Sequence, residues 1–329
     1  MRRAGKNRTS AVGLERSYIE NDAKAVGRFI FISPIERTKS PRSVSRRLDR
    51  YSDGGSSARV KEVVAVIGAG VIGGAIARGL LEEGGREVIV TRRQIAKIGD
   101  LKDLGAKVTS DNRRAVKSAC VIFLCVKPGD VRGVLEGVRD QVGGKLVITT
   151  AATVPLAYYK KLVPAARFIR AMPNVATLVR ESFTAYCCDA DVTSEDKALA
   201  KEMFDALGMS MEVEEKYMDA ITALSGSGPG YLSIIIEGLM YAGLRVGLPR
   251  DLALVSSAQT VLGTGKLALK MGENPSKIKD MVTTPGGTTI EAIYELEGSQ
   301  IRQALMRAVT EATSKSQTIR ERLGLVEKE

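Results

Sequence analysis

The sequence predicts an α/β protein in two parts, a doubly wound parallel sheet followed by an all-helical C-terminal domain that pairs with another copy. Three observations predict it. Short β-branched runs alternate with helix-length segments from Val63 onward, the pattern of parallel strands joined by crossover helices. The first run, VVAVIGAG, ends in glycines and leads into the helix-compatible IGGAIARGLLEEGG. Beyond Lys216 strand-like stretches stop, and long segments with broad apolar faces open at Pro229, Pro249 and Pro275, each suited to the first turn of a helix.

Taken in order, strands are expected at Val63–Ile67, Glu87–Thr91, 106–109, 121–126 and Leu146–Thr149, with helices between them. FIRAMPN at 168–174 and FTAYCC add β-like stretches, 194–207 reads as helix, and MSMEVEE follows. The division expected is a basic extension over 1–59, a dinucleotide-binding domain over 60–215 and a helical domain over 216–329. The last is too apolar on several faces to stand as a solitary monomer.

Charge separates the extension from the rest. Residues 1–59 hold 14 Lys and Arg against 6 Asp and Glu, a net +8 of the chain's +11, so the body is nearly neutral. Arg- and Ser-rich sequence such as SPRSVSRRLDRYSDGGSSAR predicts a disordered arm. A targeting or RNA-contacting role is the rival reading. Glu15, Glu20 and Asp22 argue against an acidic-poor transit peptide, and Tyr18, Phe29, Phe31 and Tyr51 are too scattered to interleave with the basic residues as nucleic-acid binding requires.

Residue types exclude whole chemistries. No histidine occurs in 329 residues, which removes Ser-His triads, His-rich metal sites and His-assisted hydride transfer. Cys120, Cys125, Cys187 and Cys188 lack CxxC spacing, so neither a metal site nor a disulfide framework is expected, and a reducing, cytoplasmic setting fits best. No uninterrupted apolar run approaches the roughly 18 residues of a membrane span.

The spacing Gly68-x-Gly70-x-x-Gly73 follows a strand and opens a helix, the Rossmann setting for a dinucleotide. Gly68 permits the turn, Gly70 lets backbone approach a pyrophosphate, and Gly73 lets helix and sheet pack closely. Ala69, Val71 and Ile72 complete the cofactor-binding stretch. At the end of the next strand an NAD-binding protein usually places an acid, but here stand Thr91, Arg92 and Arg93. Two guanidinium groups favour a 2′-phosphate, so NADPH is the expected cofactor, with NADH also accepted. Lys127, in LCVKPGD after the fourth strand, falls where open α/β sheets place ligand contacts, and Pro128 fixes its turn.

In the helical part, TTPGGTTIEAI at 283–293 combines a Pro-Gly-Gly turn, small hydroxyls and a helix start, an arrangement suited to a small carboxylate. Thr288 with Glu291 three residues later also reads as a capping box. SGSGPGY at 225–231 reads as a Gly/Pro hinge between helices, equally suited to subunit packing or substrate contact.

Together, IGAGVIG, CVKP, RAMPN, SGSGPGY, EGLMYAGLRVGLPRDLA and TTPGGTTIEAI, in this order over 63–323, resemble pyrroline-5-carboxylate reductase, the last enzyme of proline biosynthesis. The resemblance implies NAD(P)H-dependent reduction of 1-pyrroline-5-carboxylate to L-proline by a homodimer or larger ring. It places Asn112 and Val126, Lys127 and Pro128 beside the cofactor, with Ala151 and Ala152 beyond the nicotinamide. It implies that Thr284, Gly286, Gly287, Thr288 and Thr289 hold the substrate, with backbone N–H groups on its carboxylate and the Thr289 hydroxyl on its ring nitrogen. Thr289 and Lys127 are the candidate catalytic residues. Gly230 stands where the family commonly has Ala. A β-hydroxyacid dehydrogenase is the nearest enzymatic alternative, but it needs a lysine on the first long helix of the second domain, and YLSIIIEGLMYAG has none. A non-enzymatic NADP-binding sensor is the alternative from another class, one in which TTPGGTT is expected to be lost.

Overall fold

The computed structural model describes residues 62–323 and Leu325, so the extension over 1–59 and the disorder expected of it lie outside the described residues. Eight strands form one sheet: β1 Val63–Ile67, β2 Glu87–Thr91, β3 Lys107–Thr109, β4 Val121–Leu124, β5 Leu146–Thr149, β6 Arg167–Met172, β7 Ser182–Cys188 and β8 Gly208–Glu212. Their order is β3-β2-β1-β4-β5-β6-β7-β8. Neighbours are parallel from β3 to β6, β7 pairs antiparallel with β6, and β8 runs parallel to β7.

Successive strand residues point to opposite faces, and both faces here are covered. Val64 and Val66 of β1 pack with α1 (Val71–Glu83), α2 (Gly99–Asp103) and α6 (Ser194–Asp205), through residues such as Ile76, Leu80, Leu101 and Phe204. Ala65 and Ile67 pack on the other face with α3 (Asn112–Ser118), α4 (Val131–Val142) and α5 (Leu156–Leu162), including Val116, Leu135 and Tyr159. That second core also takes in Met218 and Leu325 from the end of the chain. A capping box starts α6: the Thr193 hydroxyl accepts from the Asp196 amide at 3.1 Å while the Asp196 carboxylate takes the Thr193 amide.

The remainder is helical: α7 Met218–Ile221, α8 Gly228–Arg245, α9 Arg250–Met271, α10 Ser276–Val282, α11 Thr288–Gly298 and α12 Ile301–Arg322. Pro229 lies in the first turn of α8 as expected, whereas Pro249 and Pro275 sit one residue earlier, at the N-caps of α9 and α10. SGSGPGY is not an open hinge. A π-helical turn over Thr222–Gly226 joins α7 to α8 in a nearly continuous run, and Asn174 Nδ2 bonds the Ser225 carbonyl at 3.1 Å. Helices α8 and α9 approach closely at Gly243, where a Cβ would come 2.9 Å from that of Ala253.

One expectation about apolar length changes. Among the described helices α9 is long and apolar enough, by length and composition, to cross a bilayer, with a mean hydropathy of 1.2 over 18 residues. No unbroken apolar run reveals it, because Ser256, Ser257, Thr260, Gly263 and Thr264 interrupt the sequence.

Candidate active site

The strand order turns at β1 and β4, whose following loops diverge and leave a crevice at the carboxyl edge of the sheet. A cleft of about 1050 Å³ opens there, lined by Gly68, Ala69, Gly70, Thr91, Arg92, Arg93, Gln94, Ser110, Asn112, Cys125, Val126, Lys127, Gly129, Asp130, Gly133 and Val134, with Ile67 at its base. Its size lies at the large end of ligand sites, as an extended dinucleotide needs.

The glycines have separable roles. Gly68 has φ +92°, and a Cβ there would lie 2.7 Å from the Cys125 carbonyl. A Cβ on Gly73 would lie 2.4 Å from the Gly68 carbonyl and 2.9 Å from Cys125 Cβ, whereas at Gly70 nothing stands within 4 Å. Gly68 and Gly73 are therefore required by packing inside the protein, and Gly70 is open.

Amide accounting then locates the anion site. The Gly68 and Ala69 amides donate to the Thr91 carbonyl at 3.2 and 2.9 Å, and the Gly70 amide donates to the Gly68 carbonyl at 2.8 Å. The next three amides, of Val71, Ile72 and Gly73, form the first turn of α1, where no earlier helical carbonyl exists to accept from them, and the N-cap Gly70 offers no side chain. These three donors at the positive end of α1 suit a pyrophosphate.

The two arginines prove unequal. Arg92 Nη1 donates to the Ala69 carbonyl at 2.9 Å, so its side chain braces the glycine turn. Arg93 is exposed at the rim beside Gln94 and Ser110. Lys127 is exposed on the opposite wall, and Pro128 begins a 3-10 turn over Pro128–Asp130. Asn112 is the first residue of α3, behind the N-cap Asp111. Cys125 has its thiol pushed up to about 12 by burial, so it serves as packing against Gly73 and not as a nucleophile.

Sequence reasoning did not single out Thr91 as a structural acceptor, nor Gln94, Ser110, Gly129, Asp130 and Gly133. Thr91 ends β2, and the others lie in the loops and first helical turns after strand carboxyl ends, so the switch-point rule applied to every loop would have found them. Val71, Ile72, Gly73, Pro128, Ala151 and Ala152 are not among the lining residues: Ala151 is buried, and its loop continues into Thr153, which has φ +68° and a buried hydroxyl without a partner among the described residues. A β-branched residue at positive φ is strained, and it marks this loop as tightly held.

The segment TTPGGTT lies apart from the cleft's lining, none of which comes from beyond Val134. Gly286 turns the chain at φ +68°, and the Gly287 amide donates to the Thr284 carbonyl at 3.0 Å. That amide is therefore engaged within the turn. Gly287, not Thr288, is the N-cap of α11, with no side-chain cap bond, so the capping box expected of Thr288 and Glu291 does not form. The reason is a one-residue shift: Thr288 is already helical, and its hydroxyl lies beyond the cap position. Donors without helical acceptors thus begin at Thr288 and Thr289, with the Thr289 side chain half-buried at the same end.

Comparison with known proteins agrees with this fold. The chain is 39% identical over 266 residues to the pyrroline-5-carboxylate reductase of Methanosarcina acetivorans, covering 78% of this chain and 97% of that one. This chain belongs to the pyrroline-5-carboxylate reductase family. The reductase of Glycine max is 37% identical, over 77% of this chain and 94% of its own. Residues 215–319 match the family described as pyrroline-5-carboxylate reductase dimerisation, and 63–153 match that described as NADP oxidoreductase coenzyme F420-dependent. Among solved structures, the Coxiella burnetii pyrroline-5-carboxylate reductase superposes with a TM-score of 0.73 at 32% identity, covering 82% of this chain and all of that one. The Plasmodium falciparum enzyme, solved with NADP bound, gives 0.71 at 28% identity, over 78% of this chain and 97% of its own.

Proposed function

We propose that this member of the family reduces 1-pyrroline-5-carboxylate to L-proline with NADPH, as a homodimer or larger assembly in a reducing, cytoplasmic setting. The observation that carries the reading is the cleft at the switch point, lined by Gly70, Arg92 and Arg93, with the first-turn amides of Val71, Ile72 and Gly73 directly behind the N-cap Gly70. Gly70 leaves open the space that backbone and pyrophosphate share. Arg93, exposed at the rim, is the group for a 2′-phosphate, with Arg92 shaping the turn beneath it.

When bound, the reduced nicotinamide supplies a hydride to the imine carbon, and the electron pair of the C=N bond passes to nitrogen. Asn112, Val126 and Lys127, which line the cleft, border the cofactor, Pro128 turns the chain just behind them outside the lining, and Lys127 adds positive charge. Ala151 and Ala152 close the far side of the nicotinamide from a loop held stiff by Thr153. The Thr288 and Thr289 amides take the substrate carboxylate in the turn built by Thr284, Gly286 and Gly287, and the Thr289 hydroxyl positions the ring nitrogen. A cyclic imine arrives protonated at nitrogen, so positioning suffices and no histidine is needed.

Assembly follows from the outer faces of α8 and α9. Leu232, Ile234, Val255, Leu262 and Leu269 are exposed in one chain, and a second copy of the same helices offers the matching apolar surface. The four cysteines, unpaired in the structure, support the reducing setting. Incubation of the protein with 1-pyrroline-5-carboxylate and NADPH or NADH, with proline measured as the product, tests the reading. Proline formation with faster turnover of NADPH is expected; cofactor binding without proline would favour the sensor.

A further inference from the structure

The cleft and the Thr289 turn lie in different parts of the chain, and their relative placement needs a physical link. Arg170 on β6 is among the most deeply buried side chains, yet its Nε and Nη2 have no hydrogen-bond partner among the described residues. Nη1 bonds Glu215 Oε1 at 3.0 Å, and the same oxygen accepts the Leu156 amide at 2.8 Å, at the start of α5 and just beyond the Ala151 loop. Nη2 stands 3.8 Å from Asp219 Oδ1. Asp219 is drawn the other way: Oδ1 accepts from the Ser316 hydroxyl at 3.0 Å, and Oδ2 pairs with Arg320. Both partners belong to α12. The other end of α12 is tied to α11, since Arg302 pairs with Glu297.

We infer that Asp219, on the α7 turn that Met218 anchors in the sheet core, and Arg320 form a latch that sets the angle between the dinucleotide half and the helix pair α11–α12, making Arg320 a positioning residue for hydride transfer. The under-bonded Arg170 supports this. A buried guanidinium left short of partners is costly, and Asp219 could satisfy it but is held by α12 instead. Removing Arg320 therefore frees Asp219 to turn toward Arg170, and the core keeps a paired charge. What is lost is the grip on α12. In a paired assembly the same angle governs how each cleft meets the Thr289 turns, whichever protomer supplies them.

The inference rests on the proposed reductase activity, so its test has a readout that needs none. Arg320→Met in the full chain is expected to lower kcat about 10-fold to 100-fold, with the KM for NADPH within about twofold of the parent, because near-attack geometry and not cofactor affinity is disturbed. With NADPH deuterated at the transferred position, the isotope effect on kcat should rise as hydride transfer becomes limiting. Arg320→Lys should restore most of kcat, and Ser316→Ala should give a smaller loss in the same direction. Amide exchange should quicken in 288–322 and stay unchanged in β1 to β5. A parent without reductase activity refutes the proposed function alone, and exchange then decides the latch. Parent-like kcat and isotope effect in folded Arg320→Met, or unchanged exchange over 288–322, overturn the latch itself.

Discussion

All four residues of β4 and all four of β5 are buried, whereas of the 22 residues in α9 only Ala253 and Ser257 are. The sheet half covers both of its faces with helices of its own chain, as a parallel sheet must. The helical half exposes Leu252, Val255 and Leu269 at 54%, 66% and 68%, more apolar surface than a lone soluble domain keeps in water. The first half is complete as one chain, and the second is half of a structure. The proposed cofactor cleft thus lies in the covered unit, while the proposed Thr289 turn lies in the half whose apolar faces suit pairing with a second copy.

The strongest way to break this contrast is Val255→Glu. An unpaired carboxylate on a buried apolar interface should weaken pairing by about 100-fold or more, close to 3 kcal/mol, and leave NADPH affinity unchanged. Sedimentation equilibrium and cofactor titration check it; an intact, active assembly would show that α9 faces water. Next comes Thr289→Val, expected to lower kcat/KM by roughly 30-fold to 150-fold through loss of one hydrogen bond of about 2 to 3 kcal/mol at the transition state. Thr288→Val is its control. With the hydroxyl beyond the cap position, little change in stability or rate is expected from it.

Within the sheet half, Gly73→Ala and Gly70→Ala separate packing from binding. The first forces a Cβ against the Gly68 carbonyl and should cost about 1 to 3 kcal/mol in denaturant melts. The second has open space, so stability should hold while NADPH affinity falls; equal losses of stability would refute the division of roles. Arg93→Ala should shift the NADPH-to-NADH preference about tenfold, whereas Arg92→Ala should weaken both cofactors by loosening the turn.

The smallest effect concerns the buried thiols. Burial pushes Cys125 and Cys187 up to about 12 and Cys188 to about 11, against an ordinary 9.0. The unfolded chain therefore loses these protons first. Stability is full below pH 9 and falls as pH rises above it, by about 1 kcal/mol at pH 10 for Cys125 and by less for the partly exposed Cys188. Replacing Cys125 with Ala should flatten that slope in melts recorded between pH 8 and 10.5.

The sheet was legible because short β-branched runs, expected of strands covered on both faces, and the glycine spacing are local signals. Strand ends, the cofactor turn and the Lys127 position follow from them. Residues such as Val255 and Leu262 were legible as apolar but not as exposed, since a sequence marks what avoids water and not which chain removes it. The one-residue shift at Thr288 escaped because a cap depends on where the Gly286 turn releases the chain. The network through Arg170 escaped because its bonds join residues more than 40 apart, and each charged member reads alone as a surface charge.

The Thr91 carbonyl holds the amides of both Gly68 and Ala69, and Arg92 grips the carbonyl of Ala69 from the other side. A loop that closes on the neighbouring strand does not wait for a ligand to give it shape. The entropy of ordering it was lost during folding, so cofactor capture carries no such term and no slow rearrangement. Stopped-flow binding should therefore be a single exponential whose rate rises linearly with NADPH and declines with salt, as encounter steered by the arginines would dictate.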